Sequence, residues 1–495
     1  MGEVTVTAGV LARLELSGLI RLARTDPQLE YLFRHALVHD AAYDSIARTD
    51  RRELHRAAGE ILEELSADRL DEVASTLAFH FERAGLPDRA MGHQLRAADR
   101  AARDFANAEA IDFYRAALEG PAAETLPSLD RALAYERFGS VLTLVGKLDD
   151  AIGAYERALD DVENGDLQGR ARLHRRVGNA HRIARRVPEA RESFAATTSL
   201  LDEISPDQRG AAWWSERLDL LLDRCWLHYF WGTFGEMRDA LDECVPALDR
   251  YATDVQRTRY HARRALHMAR TNHMVISDET VVVGRIAYEL WRAIGDPTDA
   301  ELAIFQLGLF HVLRGELEAA RRYLNDSLAA AEVTGDVVLQ SRCLIYLALA
   351  ARFSGDTAAM ERLHERALPV VAAAGLVEYE AMIEADRCWI AWQRGDNLEA
   401  KAHGDAALEL CGRLPTRSHV AEASVRLPLI AMALEADDVD KAMGLAGELA
   451  EGTWVDEAFG SAVAAAVGAH DTGDVERTRA SLERGLERAR RIGWV

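Results

Sequence analysis

From about residue 295 onward, apolar side chains recur at three- and four-residue spacing, in stretches such as DVVLQSRCLIYLALAARFS, and glycine interrupts each stretch. This spacing predicts amphipathic helices, because an α-helix returns to the same face after 3.6 residues. The interruptions are regular. Gly295, Gly315, Gly335, Gly355, Gly375 and Gly395 follow one another every twenty residues, several of them as Gly-Asp. Glycine can adopt the left-handed conformation that ends a helix, and the following aspartate can cap the next one, so Gly-Asp acts as stop and start. The result is helix, turn, helix, turn with a forty-residue period. The same phase extends more weakly back to FERAGLPDRAMGHQLRAA near 85 and RDFANAEAIDFYRAAL near 105, and forward to ADDVDKAM near 437 and TGDVERTR near 473.

Counted from the inner turn of each helix pair, small residues recur five and twelve positions on: Ala151 and Ala158 after Gly146, Ala240 and Ala247 after Gly235, Ala400 and Ala407 after Gly395. Larger side chains such as Tyr155 and His364 stand between them. Small residues let the two helices of a pair approach closely, while the larger one wedges between them and the next pair. GKLDDAIGAYERAL at 146–159 resembles the second half of a tetratricopeptide repeat, with Ala151, Tyr155 and Ala158 in its signature places. The period is longer than that family's roughly 34 residues, and the first helices lack its Trp and Leu-Gly pattern. The expected fold is all-α, a right-handed α-solenoid of tetratricopeptide-like helix pairs.

The N-terminal stretch LARLELSGLIRLARTDPQLEYLFRHALVHDAAYDSIARTDRRELHRAAGEILEEL reads as a helix, a short hairpin turning at Asp26-Pro27, and a long helical run. It resembles the end of the winged-helix element, and the helices after it, in bacterial STAND-class signal-transduction ATPases. These regions are attached to class III adenylate cyclases, Ser/Thr kinases and LuxR-type regulators, where a phrase like FRHAL…AAY leads into RRELHRAAGEILE. The resemblance covers residues 8–120 in motif detail and the remainder in architecture. It implies a small winged-helix remnant at 1–47, a helical connector with the first repeat-like pairs at 48–120, and the solenoid at 121–495. It also implies the sensor or scaffold part of a bacterial signalling or transcriptional regulator. The phosphate-cradling loop of the ATPase is missing, since GSVLTLVGKLDD has the wrong spacing and no hydroxyl after Lys147. Cyclase and kinase motifs are missing as well, and no helix-turn-helix follows the last repeat. The alternative is the C-terminal part of an ATP-binding adenylate cyclase or kinase-linked ATPase whose catalytic domains lie outside this chain.

Composition narrows the partners. With 59 basic against 81 acidic residues the formal charge is -22, which repels nucleic acid and anionic membrane. The five cysteines are scattered without a CxxC pair, so reduced core thiols are expected, not a zinc knuckle or a disulfide framework. No leader segment and no uncharged run near the roughly 18 residues of a membrane span is visible, which predicts a soluble cytoplasmic protein. His35 and His39 stand one turn apart, but no HExxH glutamate or third ligand accompanies them, so His35 is expected to pack and His39 to be exposed. No GxSxG elbow is found. No catalytic residue, metal or cofactor is expected. Trp389 and Trp392 read as core wedges, and LDEISPDQRGAAWW at 201–214 as a long loop between repeats.

Three successive first helices carry cationic stripes at helical spacing. Arg172, Arg175, Asn179, Arg182 and Arg186 share one arc; Trp213, Arg217, Arg224, His228 and Trp231 share the next; Arg259, Arg263, His267 and Arg270 share the third. In tetratricopeptide superhelices the first helices line the concave groove, which would bring the stripes together. Guanidinium forks bind carboxylate and phosphate in bidentate fashion and stack on indoles. The groove from 172 to 270 is therefore expected to take an anionic partner, in the first place an acidic peptide or protein segment and in the second a small phosphorylated effector. The competing reading is an ordinary polar helix face whose arginines pair with carboxylates of neighbouring helices. The sequence leaves the oligomeric state open.

Overall fold

The computed structural model describes residues 8–24, 30–272, 275–294, 301–414, 419–450 and 457–491. The Asp26-Pro27 turn and Gly295 lie outside these ranges. In chain order the elements are α1 (Ala8–Leu16), β1 (Ile20–Arg24), β2 (Glu30–Phe33), α2 (Ala36–Ser45), α3 (Arg48–Leu65), α4 (Leu70–Ala84), α5 (Pro87–Arg103), α6 (Asn107–Leu118), α7 (Ser128–Leu144), α8 (Leu148–Asp161), α9 (Leu167–Ile183), α10 (Val187–Glu203), α11 (Ala211–Trp231) and α12 (Phe234–Tyr251). They continue as α13 (Asp254–Thr271), α14 (Asp278–Ile294), α15 (Glu301–Leu313), α16 (Leu317–Thr334), α17 (Val337–Phe353), α18 (Thr357–Ala373), α19 (Val377–Gln393), α20 (Asn397–Gly412), α21 (His419–Glu435), α22 (Val439–Ala450), α23 (Glu457–His470) and α24 (Val475–Arg491). The fold is all-α, a solenoid of tetratricopeptide-like helix pairs preceded by a helix and one hairpin. Among the described residues no helix is long and apolar enough to cross a membrane.

The chain divides into two units, Met1–Ala101 with Asp112–Leu126, and Ala102–Ile111 with Pro127–Val495. In the first unit β1 and β2 pair antiparallel, Ile20 opposite Phe33 and Leu22 opposite Tyr31. Leu77, Phe81 and Ala90 form a small core with Leu62, Val73 and Leu86 around it. Beside that core runs a hydrogen-bonded chain. The Tyr43 hydroxyl lies 3.0 Å from His55 Nε2, and His55 Nδ1 lies 3.0 Å from His80 Nδ1. Either neutral tautomer of His55 serves both contacts, with Tyr43 donating to Nε2 and Nδ1–H donating to His80, or with Nε2–H donating to Tyr43 and His80 Nδ1–H donating to Nδ1. Burial lowers the pKa of His55, as do His80, Arg83 and Arg51; burial lowers that of His80. A depressed folded pKa gives stability that is complete above the unfolded value of about 6.5 and is lost as pH falls through the folded value. Acidification from pH 7 to 5 is therefore expected to loosen α2–α4, read as faster amide exchange there. A His80→Asn variant should show a smaller pH effect.

In the second unit the Gly-Asp turns behave as their chemistry dictates. Gly335, Gly355 and Gly395 all have positive φ, and the next residue of each, Asp336, Asp356 and Asp396, accepts a hydrogen bond from the backbone N–H three residues on. One turn departs from the sequence reading. Gly232, not Gly235, ends α11 with positive φ, and Gly235 falls inside α12. Consecutive helices pack as pairs from α7·α8 to α23·α24, and the first helices α9, α11, α13, α15, α17, α19 and α21 stand side by side.

A contact inside the pairs was not read from the sequence. A Cβ on Gly139 would lie 2.6 Å from the Tyr155 ring, one on Gly178 2.7 Å from the Phe194 ring, and one on Gly308 2.8 Å from Leu324. In all three the larger residue lies sixteen positions after the glycine, so the close approach recurs with the repeat. Leu307-Gly308 is thus a Leu-Gly step on a first helix, a feature the sequence reading had placed nowhere in the chain.

The second unit also turns back on itself. Asn107 donates from Nδ2 to the Thr334 carbonyl at 2.9 Å, Arg185 pairs with Glu378, and a Cβ on Gly146 would meet Val337 and Ala374. Helix α19 opens the fifth pair after α9, so the stack regains contact with its own earlier turns across 193 and 227 residues of sequence. Arg185 itself holds φ 62 where other turns place glycine. A non-glycine residue there costs on the order of 1 kcal/mol, and its ion pair with Glu378 offsets that cost.

Candidate anion-binding face

Side chains of α9, α11 and α13 interlock on the face of the first helices. Arg175 of α9 donates from Nη1 to Asp223 at 2.9 Å and also bonds Glu216, while Arg259 of α13 donates to Asp219 at 2.7 Å and Asp223 at 2.6 Å. Asp223 is only 3% exposed. Burial alone would raise its pKa, but Arg259, Arg175 and Arg182 hold it below the usual carboxylate range. Arg172 and Arg176 both pair with Glu136 of α7, at 2.9 and 2.8 Å.

The pairing stops further along the same face. Arg182 bonds the Asn179 side-chain oxygen, at 3.0 and 2.6 Å, and has no carboxylate partner among the described residues. Burial is the main cause that pulls its pKa down to about 10; nearby Arg342, Arg185 and Arg259 add to it against the attraction of Asp223. Arg263 is 4% exposed, and its Nε is sealed without a hydrogen bond. Burial, then Arg259 and Arg182, pull its pKa well below the arginine range. The guanidinium carbons of Arg263, Arg182 and Arg342 lie 4.4, 5.9 and 5.9 Å from the centre of one ring, that of Trp226 on α11. Arg342 of α17 donates to the Tyr379 hydroxyl at 2.8 Å, and Arg270 lies over Tyr229 and Phe234. A desolvated cation–π contact is worth about 2 kcal/mol. Taking one cation out of water costs several kcal/mol. The indole therefore offsets only part of what Arg263 loses, and the free protein keeps a positive deficit at this point.

The stripes predicted on α9 and α13 are brought together, but the one predicted on α11 is not. Trp213 is buried against Val187, Phe194 and Leu201, and its indole N–H donates to the Leu201 carbonyl at 2.9 Å. Arg217 donates to Glu243 at 2.8 Å, away from Arg175 and Arg259, and His228 bonds Thr233 and Glu236. Arg224 is half-buried, and the Trp231 side chain lies outside what is described. The face of α11 that meets its neighbours is acidic instead: Glu216, Asp219 and Asp223, with Trp226 next along. The signal was present at i, i+3, i+7 and i+10, but the arginine arc on the same helix was followed in its place. On α13, His267 leaves the face and bonds the Phe234 carbonyl at 3.1 Å. The segment 201–214 is not a long loop, because α10 runs to Glu203 and α11 starts at Ala211.

Other candidate chemistry has a structural setting. Among the described residues no group of three or more His, Cys, Asp or Glu is disposed to hold a metal ion. His35 is exposed at the start of α2 and does not pack as expected, and His39 sits 2.9 Å from Asp40. All five cysteines are buried free thiols, and burial pushes Cys225, Cys388 and Cys411 up to about 12. Such thiols stay protonated and are poor nucleophiles. Trp389 is buried in the core, and Trp392 is half-buried with its N–H donating to Glu435 at 3.0 Å.

No protein-family model and no curated protein matches the chain. Among solved structures, a Rap protein complexed with Competence and Sporulation Factor aligns at TM-score 0.46 and 12% identity, over 81% of this chain and 98% of that one. NprR in complex with its cognate peptide NprX aligns at TM-score 0.45 and 11% identity, over 74% and 96%. The STAND protein PH0952 from Pyrococcus horikoshii, which has a tetratricopeptide repeat sensor, aligns at TM-score 0.39 and 11% identity, over 82% and 58%.

Proposed function

We propose that the chain is a non-catalytic repeat module whose first-helix face, from α9 to α17, binds an acidic peptide or protein segment, and that it serves as the sensor or scaffold part of a signalling or transcriptional regulator. One observation supports this most directly. In a chain of formal charge -22, Arg182 and Arg263 are drawn into the same interior around Trp226, and among the described residues neither is hydrogen-bonded to a carboxylate. A protein selected only for stability would place a carboxylate there or lose the arginines. An extended partner suits this face better than a small effector does, because the charged surface crosses several successive helices.

Fluorescence anisotropy with a labelled twelve-residue glutamate-rich peptide and its lysine counterpart tests the reading. The acidic peptide is expected to bind, more weakly as salt rises, and the lysine peptide to fail. Equal binding of both, or of neither, would remove the anionic partner. The purified chain is expected to leave ATP and GTP unhydrolysed over hours, and steady turnover of either would overturn the non-catalytic part.

A further inference from the structure

Resting on that reading, we infer that Arg182, Arg263 and Trp226, with Arg342 closing the third side, form a discrete subsite for one compact oxyanion of the ligand. The three guanidinium carbons all lie within 5.9 Å of one ring centre. No two of them are therefore further apart than about 12 Å, which gathers three forks around one indole. Each arginine also has a reason to be held in place. Arg182 is fixed by Asn179, Arg342 by the Tyr379 hydroxyl, and Arg263 by its stack on the indole. None of these anchors is a carboxylate. The forks are thus preorganised without a hydrogen-bonded carboxylate among the described residues, which is the arrangement that favours an incoming anion over water.

The neighbouring acidic residues sharpen the assignment. Asp219 and Asp223 each bond Arg259, and Asp223 also bonds Arg175, so the carboxylates of this face are committed one helical turn away. They leave Arg175 and Arg259 neutralised and direct an anion toward Arg182 and Arg263. The recognised chemistry is an oxyanion, whether a side-chain or terminal carboxylate of a peptide or a free phosphate.

The test uses the full chain, with intrinsic tryptophan fluorescence and the thermal unfolding midpoint as readouts and three probes: the glutamate-rich peptide, the same peptide amidated at its C-terminus, and inorganic phosphate. Arg263→Met is expected to raise the midpoint of the free protein, because it removes a buried charge that no carboxylate hydrogen-bonds among the described residues. It should also weaken the peptide about ten- to a hundredfold, the range of a charge-assisted hydrogen bond lost from a desolvated site. Arg182→Gln should weaken it similarly, and Arg217→Gln, whose arginine already pairs with Glu243, should leave affinity unchanged. Weaker binding of the amidated peptide identifies the chain terminus as the anion; equal binding identifies a side chain. Protection by phosphate that disappears in Arg263→Met supports the subsite even if neither peptide binds, in which case the acidic-segment reading fails alone. Tight peptide binding that survives both Arg182→Gln and Arg263→Met overturns the subsite and leaves that reading intact. A fall in the midpoint of Arg263→Met, with unchanged affinity for every probe, would mark Arg263 as structural and also overturn the subsite.

Discussion

Asp386→Ala is expected to cost the second unit about 3–5 kcal/mol, the range for removing one partner from a buried ion pair. Arg352, 1% exposed, donates to Asp386 Oδ1 at 2.9 Å and to the Ser424 carbonyl at 3.3 Å, while His364 Nε2 lies 3.1 Å from Asp386 Oδ2. One carboxylate thus joins α17, α18 and α19, and Arg352 extends the network to α21. Burial raises the pKa of Asp386, but His364 and Arg352 outweigh it and hold the carboxyl below its ordinary value. Its stabilising contribution is therefore complete above the unfolded pKa of about 3.9 and is lost as pH falls through the folded one. Urea unfolding of wild type and variant at pH 7 measures the cost. A difference below about 1 kcal/mol would contradict a network that depends on this carboxylate. Replacing Arg352, Asp386 and His364 together with apolar residues should recover much of the loss, since the penalty comes from stranding the arginine.

Asp223→Asn should lower stability and raise affinity together. The carboxylate is buried and accepts from Arg175 and Arg259, and its loss should cost about 3 kcal/mol, the lower end of the buried-pair range, because Glu216 and Asp219 still serve those arginines. The same substitution removes a negative charge from a face already short of them. Arg175 and Arg259 each keep a carboxylate but lose one, so the face becomes more positive, and the glutamate-rich peptide should bind the variant more tightly than wild type. Unfolding and anisotropy on the same sample separate the two effects. A loss of stability with unchanged or weaker peptide binding would mean that this ionic lattice supports the fold without shaping recognition.

Local chemistry made the fold legible. Gly-Asp steps every twenty residues encode the helix ends that Gly335-Asp336, Gly355-Asp356 and Gly395-Asp396 display. The recurring glycine with a larger residue sixteen positions on was equally periodic, but it links two helices, and only the packed pair shows that Gly139 and Gly178 make room for Tyr155 and Phe194. The candidate site was half legible. The α9 and α13 stripes follow from single-helix periodicity, which needs no knowledge of neighbours. The orientation of α11 does not, because that helix carries both an arginine arc and an acidic arc, and the choice between them depends on charges of the flanking helices. Trp226 escaped notice for the same reason, since an indole among leucines reads as core until three guanidiniums are seen around it. The return contacts of Asn107 and Arg185 with residues 193 to 227 positions away depend on accumulated superhelical rotation, which no short stretch of sequence records.

The most direct test of the binding face is to map where an acidic ligand sits. A glutamate-rich peptide carrying a photo-crosslinking benzophenone, irradiated on the full chain and analysed by mass spectrometry of the digested adduct, reports the residues it touches. Crosslinks concentrated on α9, α11, α13 and α17, and reduced in Arg182→Gln, are the predicted result. Crosslinks confined to the first unit, or to the second helices α10, α12 and α14, would contradict it.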